Sequence, residues 1–213
     1  MVKKIFVSAF ILTVIVFSAG IAVGLSFDYF RVSDLSNSFE EERMNIESFV
    51  LEQQLLTSLD DQGCDLLNER VCDLITKTYE TGAKLEKYET VGYSEEEYRL
   101  LKRKNIILKI RLLQSLDYLE ENCEMQEDRI LYFYERNDEE CTKQGYELDK
   151  LNRERNYSIS VLSFDSNFEE EPLIDYLNKK YEIDTLPTII INNDVKKEGF
   201  VTAEEIEKIF EVF

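Results

Sequence analysis

The chain of 213 residues has no histidine and no tryptophan, and only two prolines and seven glycines. Without histidine there is no Ser-His-Asp or Cys-His catalytic arrangement and no His-containing zinc site. So little glycine and proline argues against long flexible loops and Gly-rich phosphate cradles. Positive charge is also short: 25 Lys and Arg face 44 Asp and Glu, for a formal net charge of −19. Such a surface repels phosphate backbones, so nucleic acid is excluded as a partner. No cofactor is expected, and no metal: the acidic run Asp138–Glu140 lacks the spaced ligands of a calcium loop.

What is present begins with one long apolar run. Ile5–Phe27 (IFVSAFILTVIVFSAGIAVGLSF) continues for 23 residues without a charge. A helix of that length crosses a hydrocarbon core of about 30 Å. Lys3 and Lys4 precede it and Asp28 follows, which orients the N-terminus to the cytoplasm and the rest outside. The alternative is a cleaved signal peptide, with Ala19, Gly20, Ala22 and Gly24 as small residues. Secretory apolar regions run only about 7–15 residues, shorter than this one. The expected location is therefore the cell membrane, single-pass, with an extracytoplasmic C-terminal part. Disulfides are stable in such a compartment.

Apolar residues then recur at helical steps. Leu35, Phe39, Ile46, Phe49, Leu56 and Leu59 form one series. Leu67, Val71, Leu74, Leu85 and Tyr88 form a second. Leu101, Leu108, Leu112, Leu116 and Leu119 form a third. With breaks at Asp60–Gly63 and Val91–Tyr93, and Ser94 and Glu97 as a capping box, these predict helices over about 32–59, 64–90 and 95–122. The last two make an antiparallel hairpin within an outward, coiled-coil-like stalk. If the hairpin turns near Gly92, Cys64 lies opposite a point within one turn of Cys123, since both helices rise about 1.5 Å per residue. Cys72 lies opposite no cysteine. A Cys64–Cys72 link within one helix would have to bridge about 12 Å of rise, beyond the usual Cα separation of about 4.4–6.8 Å. Cys64–Cys123 is the favoured pair.

From Arg129 the pattern changes. Arg129–Tyr134 (RILYFY) is β-rich, Glu139–Leu151 is helical, and Tyr157–Phe164 alternates. Pro172 opens a helix where proline is tolerated. Thr188–Asn192 and Val195–Phe200 make a terminal hairpin, and Ala203–Phe213 is a last helix capped by Thr202. The order β-α-β-α-β-β-α implies a mixed sheet with helices on both faces, an α+β or α/β class. Asn156-Tyr157-Ser158 fits a glycosylation triplet.

The pieces LYFYERNDEECTKQG, SISVLSFD, TLPT (Thr185–Thr188) entering TIIIN, and a Gly-Phe step before the last helix resemble a thioredoxin-fold domain. The resemblance covers about residues 124–213. With the helices and anchor before it, the chain also resembles membrane-anchored thioredoxin-like proteins of archaeal type. Three parts follow: an anchor at 1–27, a helical stalk at 28–123 and the thioredoxin-like domain at 124–213. The resemblance aligns Asp138-Glu139-Glu140-Cys141 with the family's CxxC turn. Asp138 then replaces the attacking cysteine, Cys141 keeps the place of the resolving one, and Pro187 matches the cis-proline. Asp138 cannot attack a disulfide. Its charge, with Glu139 and Glu140, is expected to raise the Cys141 pKa, while the helix N-terminus lowers it.

These readings imply a protein-binding or scaffolding module at the cell envelope. Its partners would be envelope or secreted proteins, or a second copy joined through the helices. The rival is a thiol-disulfide oxidoreductase or isomerase using Cys141 alone or with a distant cysteine such as Cys72. A third reading leaves the function to the helices. Cys141 itself is open to three roles: a small buried hydrophobe, half of a structural disulfide, or a redox thiol.

Overall fold

The computed structural model describes residues 10–21, 48, 61–91, 95–123 and 127–211. Met1–Leu59 and Asp60–Phe213 are two separate units. In the first, residues 10–21 form a helix, α1, whose Phe10, Val16 and Phe17 are exposed. Among the described residues no helix is long and apolar enough to cross a membrane. Residues 5–9 and 22–27 of the expected anchor lie outside the described residues, as does the expected helix 32–59 apart from Ser48.

The second unit starts with the hairpin, α2 (Asp61–Val91) and α3 (Glu95–Asn122). Leu67, Val71 and Leu74 of α2 are buried, as are Leu108, Leu112, Leu116 and Leu119 of α3. Those steps of three and four residues line one face of each helix. Glu95, Glu96 and Glu97 fill the first turn of α3, where carboxylates complement the helix dipole. The break expected at Asp60–Gly63 falls instead inside the first turn of α2, where Gly63 leaves the helix intact. Ser94, the expected cap, lies outside the described residues. A disulfide joins Cys64 to Cys123 across the open end of the hairpin, with Cα atoms 5.7 Å apart and a sequence separation of 59. Closing a loop of that length removes roughly 4 kcal/mol of chain entropy from the unfolded state in the simple loop model.

Four strands follow: β1 (Arg129–Tyr134), β2 (Ser160–Asp165), β3 (Thr188–Ile191) and β4 (Val195–Glu198). Between and after them come α4 (Glu139–Glu154), α5 (Pro172–Lys180) and α6 (Ala203–Phe210). The sheet order is β2-β1-β3-β4. β1 and β2 are parallel, whereas β3 is antiparallel to both β1 and β4. β1 is therefore central, which explains why RILYFY reads as a continuous apolar run and not as an alternation. Ile130 and Tyr132 pack with Leu148 and Leu151 of α4 and with Ile206 and Phe210 of α6. Leu131 and Phe133 point to the other face, register-paired with Leu162 and Phe164. There the Phe133 ring meets Tyr181 with centroids 5.8 Å apart.

α3 is tied to the sheet along its length. At one end Lys102 pairs with Asp165, each side chain only 6% exposed. Arg103 Nε donates to Glu171 at 3.2 Å. At the other end the buried Arg129 pairs with Asp117 at 2.9 Å and also with Glu120. Between them Lys109 Nζ donates to the carbonyl and hydroxyl of Ser163, at 2.8 and 3.0 Å. Ser160 and Ser166 turn their N–H groups toward β1. Ser163, at odd register, therefore turns its carbonyl outward along the edge of β2. Lysines blunt such edges, and Lys109 caps this one. Burial, and then the charge of Lys102, push the Lys109 pKa down to about 8. The step near residue 123 is thus a change of secondary structure and not a break in packing.

Some boundaries moved for local reasons. β2 starts at Ser160 and not at Tyr157, because Asn156 and Tyr157 adopt φ of 53° and 60°. β4 ends at Glu198, because Gly199 turns the chain at φ 78°. α6 ends at Phe210, its start held by a complete Thr202–Glu205 capping box. Removing one member of the buried Lys102–Asp165 pair strands a charge, at a cost of about 3–5 kcal/mol. In urea unfolding, Lys102→Met and Asp165→Asn should each destabilise by about that much, and the double variant by clearly less than the sum. Additive losses would show that the pair is not coupled.

Candidate functional site

β1 delivers its C-terminal end to a tight turn, Glu135–Asp138, which runs directly into α4. Asn137 takes φ 67°, a left-handed value that asparagine tolerates. Asp138 then stands at the N-cap with extended backbone, φ −79° and ψ 137°. Its Oδ1 accepts the Cys141 N–H at 2.8 Å. Its carbonyl accepts the Thr142 hydroxyl at 2.7 Å. Short polar side chains at this position satisfy otherwise orphaned helix N–H groups. The Cys141 N–H bond, first of all, holds the Asp138 carboxyl below its ordinary pKa, so the residue is a carboxylate at neutral pH.

Cys141 sits in the first turn of α4, pointing inward, and is 2% exposed. Its sulfur accepts the Glu135 N–H at 3.3 Å. Its carbonyl accepts the Tyr132 hydroxyl. Burial is the largest cause pushing the thiol up to about 11; the Glu135 N–H bond opposes it, and Asp138 adds to it. The order of causes differs from the one expected from sequence, in which the acidic run dominated. Glu139 instead pairs with Lys143 at 2.8 Å, one turn along the helix. The Tyr132 hydroxyl is likewise pushed up, by burial first and then by Cys141.

The Pro187 segment reaches the same end of the sheet. Phe133 is in register with Thr188, so Pro187 lies beside Tyr134. The Leu186–Pro187 peptide is cis. The Pro187 carbonyl accepts the Gly199 N–H at 2.8 Å, and Thr188 Oγ1 donates to the Thr185 carbonyl at 2.6 Å. Phe200, next to Gly199, is 45% exposed. Asp138, Cys141 and Pro187 are thus gathered at one sheet end. Cys64 and Cys123 are joined to each other. Cys72 is exposed on α2, and both Cys72 and Cys141 are free thiols. Among the described residues no group of acidic or cysteine side chains is placed to hold a metal.

Sequence reasoning passed over two contributors. Asp138 was read only as a lost cysteine, although aspartate just before a helical pattern is itself a capping signal. The β-rich run marks Tyr132 only as a strand residue; the three-dimensional packing of β1 against α4 brings its hydroxyl to the Cys141 carbonyl.

No family model matches the chain. Thioredoxin 2 of Plasmodium berghei (strain Anka) is 40% identical over 81 residues, covering 36% of this chain and 48% of that protein. The chain spans about half the length of the curated relative it matches. Among solved structures, a thioredoxin-2 described as a component of the malaria parasite protein secretion machinery is 27% identical with a TM-score of 0.36, over 41% of this chain and 84% of the other. Chloroplastic thioredoxin z is 23% identical with a TM-score of 0.37, over 46% of this chain and 87% of the other. The stretch shared with thioredoxin 2 supports a thioredoxin-like superfamily, the type of fold that thiol-disulfide oxidoreductases use, and the four-stranded mixed sheet fits it.

Three outcomes follow for the turn and its thiol. Asp138→Ala should cost about 1 kcal/mol of stability in urea unfolding, and Asp138→Asn much less, because asparagine also caps. In the native protein maleimide should label Cys72 and leave Cys141 unmodified until the chain is unfolded. Because the folded thiol titrates near 11 and an ordinary one near 9, the unfolded chain loses its proton first as pH rises. The stability Cys141 contributes is complete below about pH 9 and lost between about 9 and 11. The gap in urea midpoint between wild type and Cys141→Ala should narrow over that window.

Proposed function

We propose that this protein is a membrane-anchored, extracytoplasmic member of the thioredoxin-like group that binds other proteins without dithiol chemistry. The observation that carries the reading is the turn itself. Asp138 uses its carboxylate to cap α4 where an attacking thiol would stand. Cys141 is 2% exposed, with its thiol pushed up to about 11. At neutral pH such a thiol is almost wholly protonated and out of reach, and the thiolate is the nucleophile. Beside the buried Pro187, the exposed Thr185 and Phe200 offer a surface for docking an extended segment.

The anchor in this reading is Ile5–Phe27, with the N-terminus in the cytoplasm. The partners are envelope or secreted proteins, or another copy through the helices. The −19 formal charge disfavours nucleic acid.

One observation favours the rival reading of a thiol-disulfide oxidoreductase: 40% identity over 81 residues to a protein named thioredoxin 2. In that reading Cys141 works alone, or with Cys72 after a rearrangement that exposes it. Insulin reduction by the full chain with dithiothreitol separates the two. Binding without chemistry predicts turnover no higher than that of Cys141→Ala. Turnover well above that variant would overturn it and establish the enzyme.

A further inference from the structure

The connection between α4 and β2 is unused by the docking face. Arg155 anchors its base: Nη1 donates to Asp128 at 2.7 Å, Nε to Glu207 at 2.8 Å, and its guanidinium stacks over Phe210 at 4.5 Å. The Asn152 side chain accepts the Ile159 N–H at 3.4 Å on the far side. Between these pins Asn156, Tyr157 and Ser158 are all exposed, Tyr157 at 72%. Backbone bonds hold the three in place: their N–H groups donate to Arg153, Asn152 and Arg155 carbonyls. Among the described residues the Asn156 side-chain amide has no hydrogen-bond partner. A left-handed asparagine just past a helix end has a purely local rationale, but that rationale accounts for Asn156 alone and leaves Ser158 unexplained.

Asn156-Tyr157-Ser158 is also the only Asn-X-Ser/Thr triplet in the 213 residues. We propose that Asn156 is an N-glycosylation site, displayed on the sheet end opposite Cys141 and Pro187. Arg129 is in register with Ser160, so the chain enters β2 at the start of β1, whereas the Cys141 turn leaves from its end. Six strand residues separate the two by about 20 Å. A glycan there is bulky and hydrophilic, and it shields that end while leaving the docking face open. The donor is a saccharide joined through its anomeric carbon to a lipid-borne phosphate. The Asn156 amide nitrogen forms a bond to that carbon, and the carbon–oxygen bond to phosphate breaks. The lipid phosphate leaves with the electron pair, and one amide proton goes to a base on the transferase.

The inference rests on the reading that everything beyond Phe27 lies outside the cytoplasm. The full chain is translated with endoplasmic-reticulum microsomes, and the Asn156 peptide is analysed by mass spectrometry before and after glycosidase. Cys72 is probed in parallel with a membrane-impermeant maleimide, before and after the vesicles are opened. The expected result is a glycan on Asn156, absent in Asn156→Gln and Ser158→Ala and kept in Ser158→Thr. Asn156→Gly, which favours the same backbone angle, should lose the glycan and fold normally. Cys72 protected until the vesicles are opened, with an unmodified Asn156 peptide, would overturn the glycan and leave the location standing. Cys72 labelled in closed vesicles would overturn both. A shift that persists in Asn156→Gln would overturn the assignment to this residue.

Discussion

The burial of β1 on both faces is the constraint on which the rest of the second unit depends. A strand carrying Ile130, Leu131, Tyr132 and Phe133, each 6% exposed or less, must be covered above and below. α4 and α6 supply one layer. On the other side α5 is only nine residues long, and α3 is linked to β2 and to Arg129 at the start of β1. α3 is thus lashed to the sheet at both ends, by Lys102–Asp165 and by Arg129 with Asp117 and Glu120. The hairpin accordingly belongs to the same compact unit as the sheet. The disulfide at the open end then keeps α2 packed along α3.

The same strand decides the chemistry of the turn. β1 ends where α4 begins, and α4 must press Cys141, Leu148 and Leu151 inward to cover Ile130 and Tyr132. Cys141 therefore points into the core, and burial raises its pKa more than any neighbouring charge does. The helix start still needs an acceptor for its first N–H groups, and Asp138 supplies it. One residue cannot both cap the helix with a carboxylate and attack a disulfide with a thiolate. At this turn Asp138 spends its carboxylate on holding the start of α4.

Much of this was legible in the residues. The order of elements followed from a switch between 3.6-residue and 2-residue periodicity near Arg129. Pro172 and Thr202 marked helix starts because proline fits a first turn and threonine caps one. The opposed positions of Cys64 and Cys123 followed from equal rise in two helices of known direction. Less legible were the ends of β2 and β4, since left-handed Asn156, Tyr157 and Gly199 are set by how each turn must re-enter the sheet. The role of α3 was hidden as well. Its buried Lys102 and Asn105 give no signal of their role when taken one at a time, because their partners Asp165 and Thr78 lie 63 and 27 residues away.

By itself the sequence determined which elements form and in what order. It also determined the absence of histidine chemistry and the aspartate, Asp138, that stands just before a helical pattern. These depend on residue type, local periodicity and short spacing. Only the tertiary structure decided that the hairpin is tied to the sheet in one compact unit, that Asp138 caps α4, and that Cys141 is buried with its thiol near 11. Burial and desolvation sum over residues such as Tyr132, Leu148 and Val201, which become neighbours only when the sheet is closed on both faces.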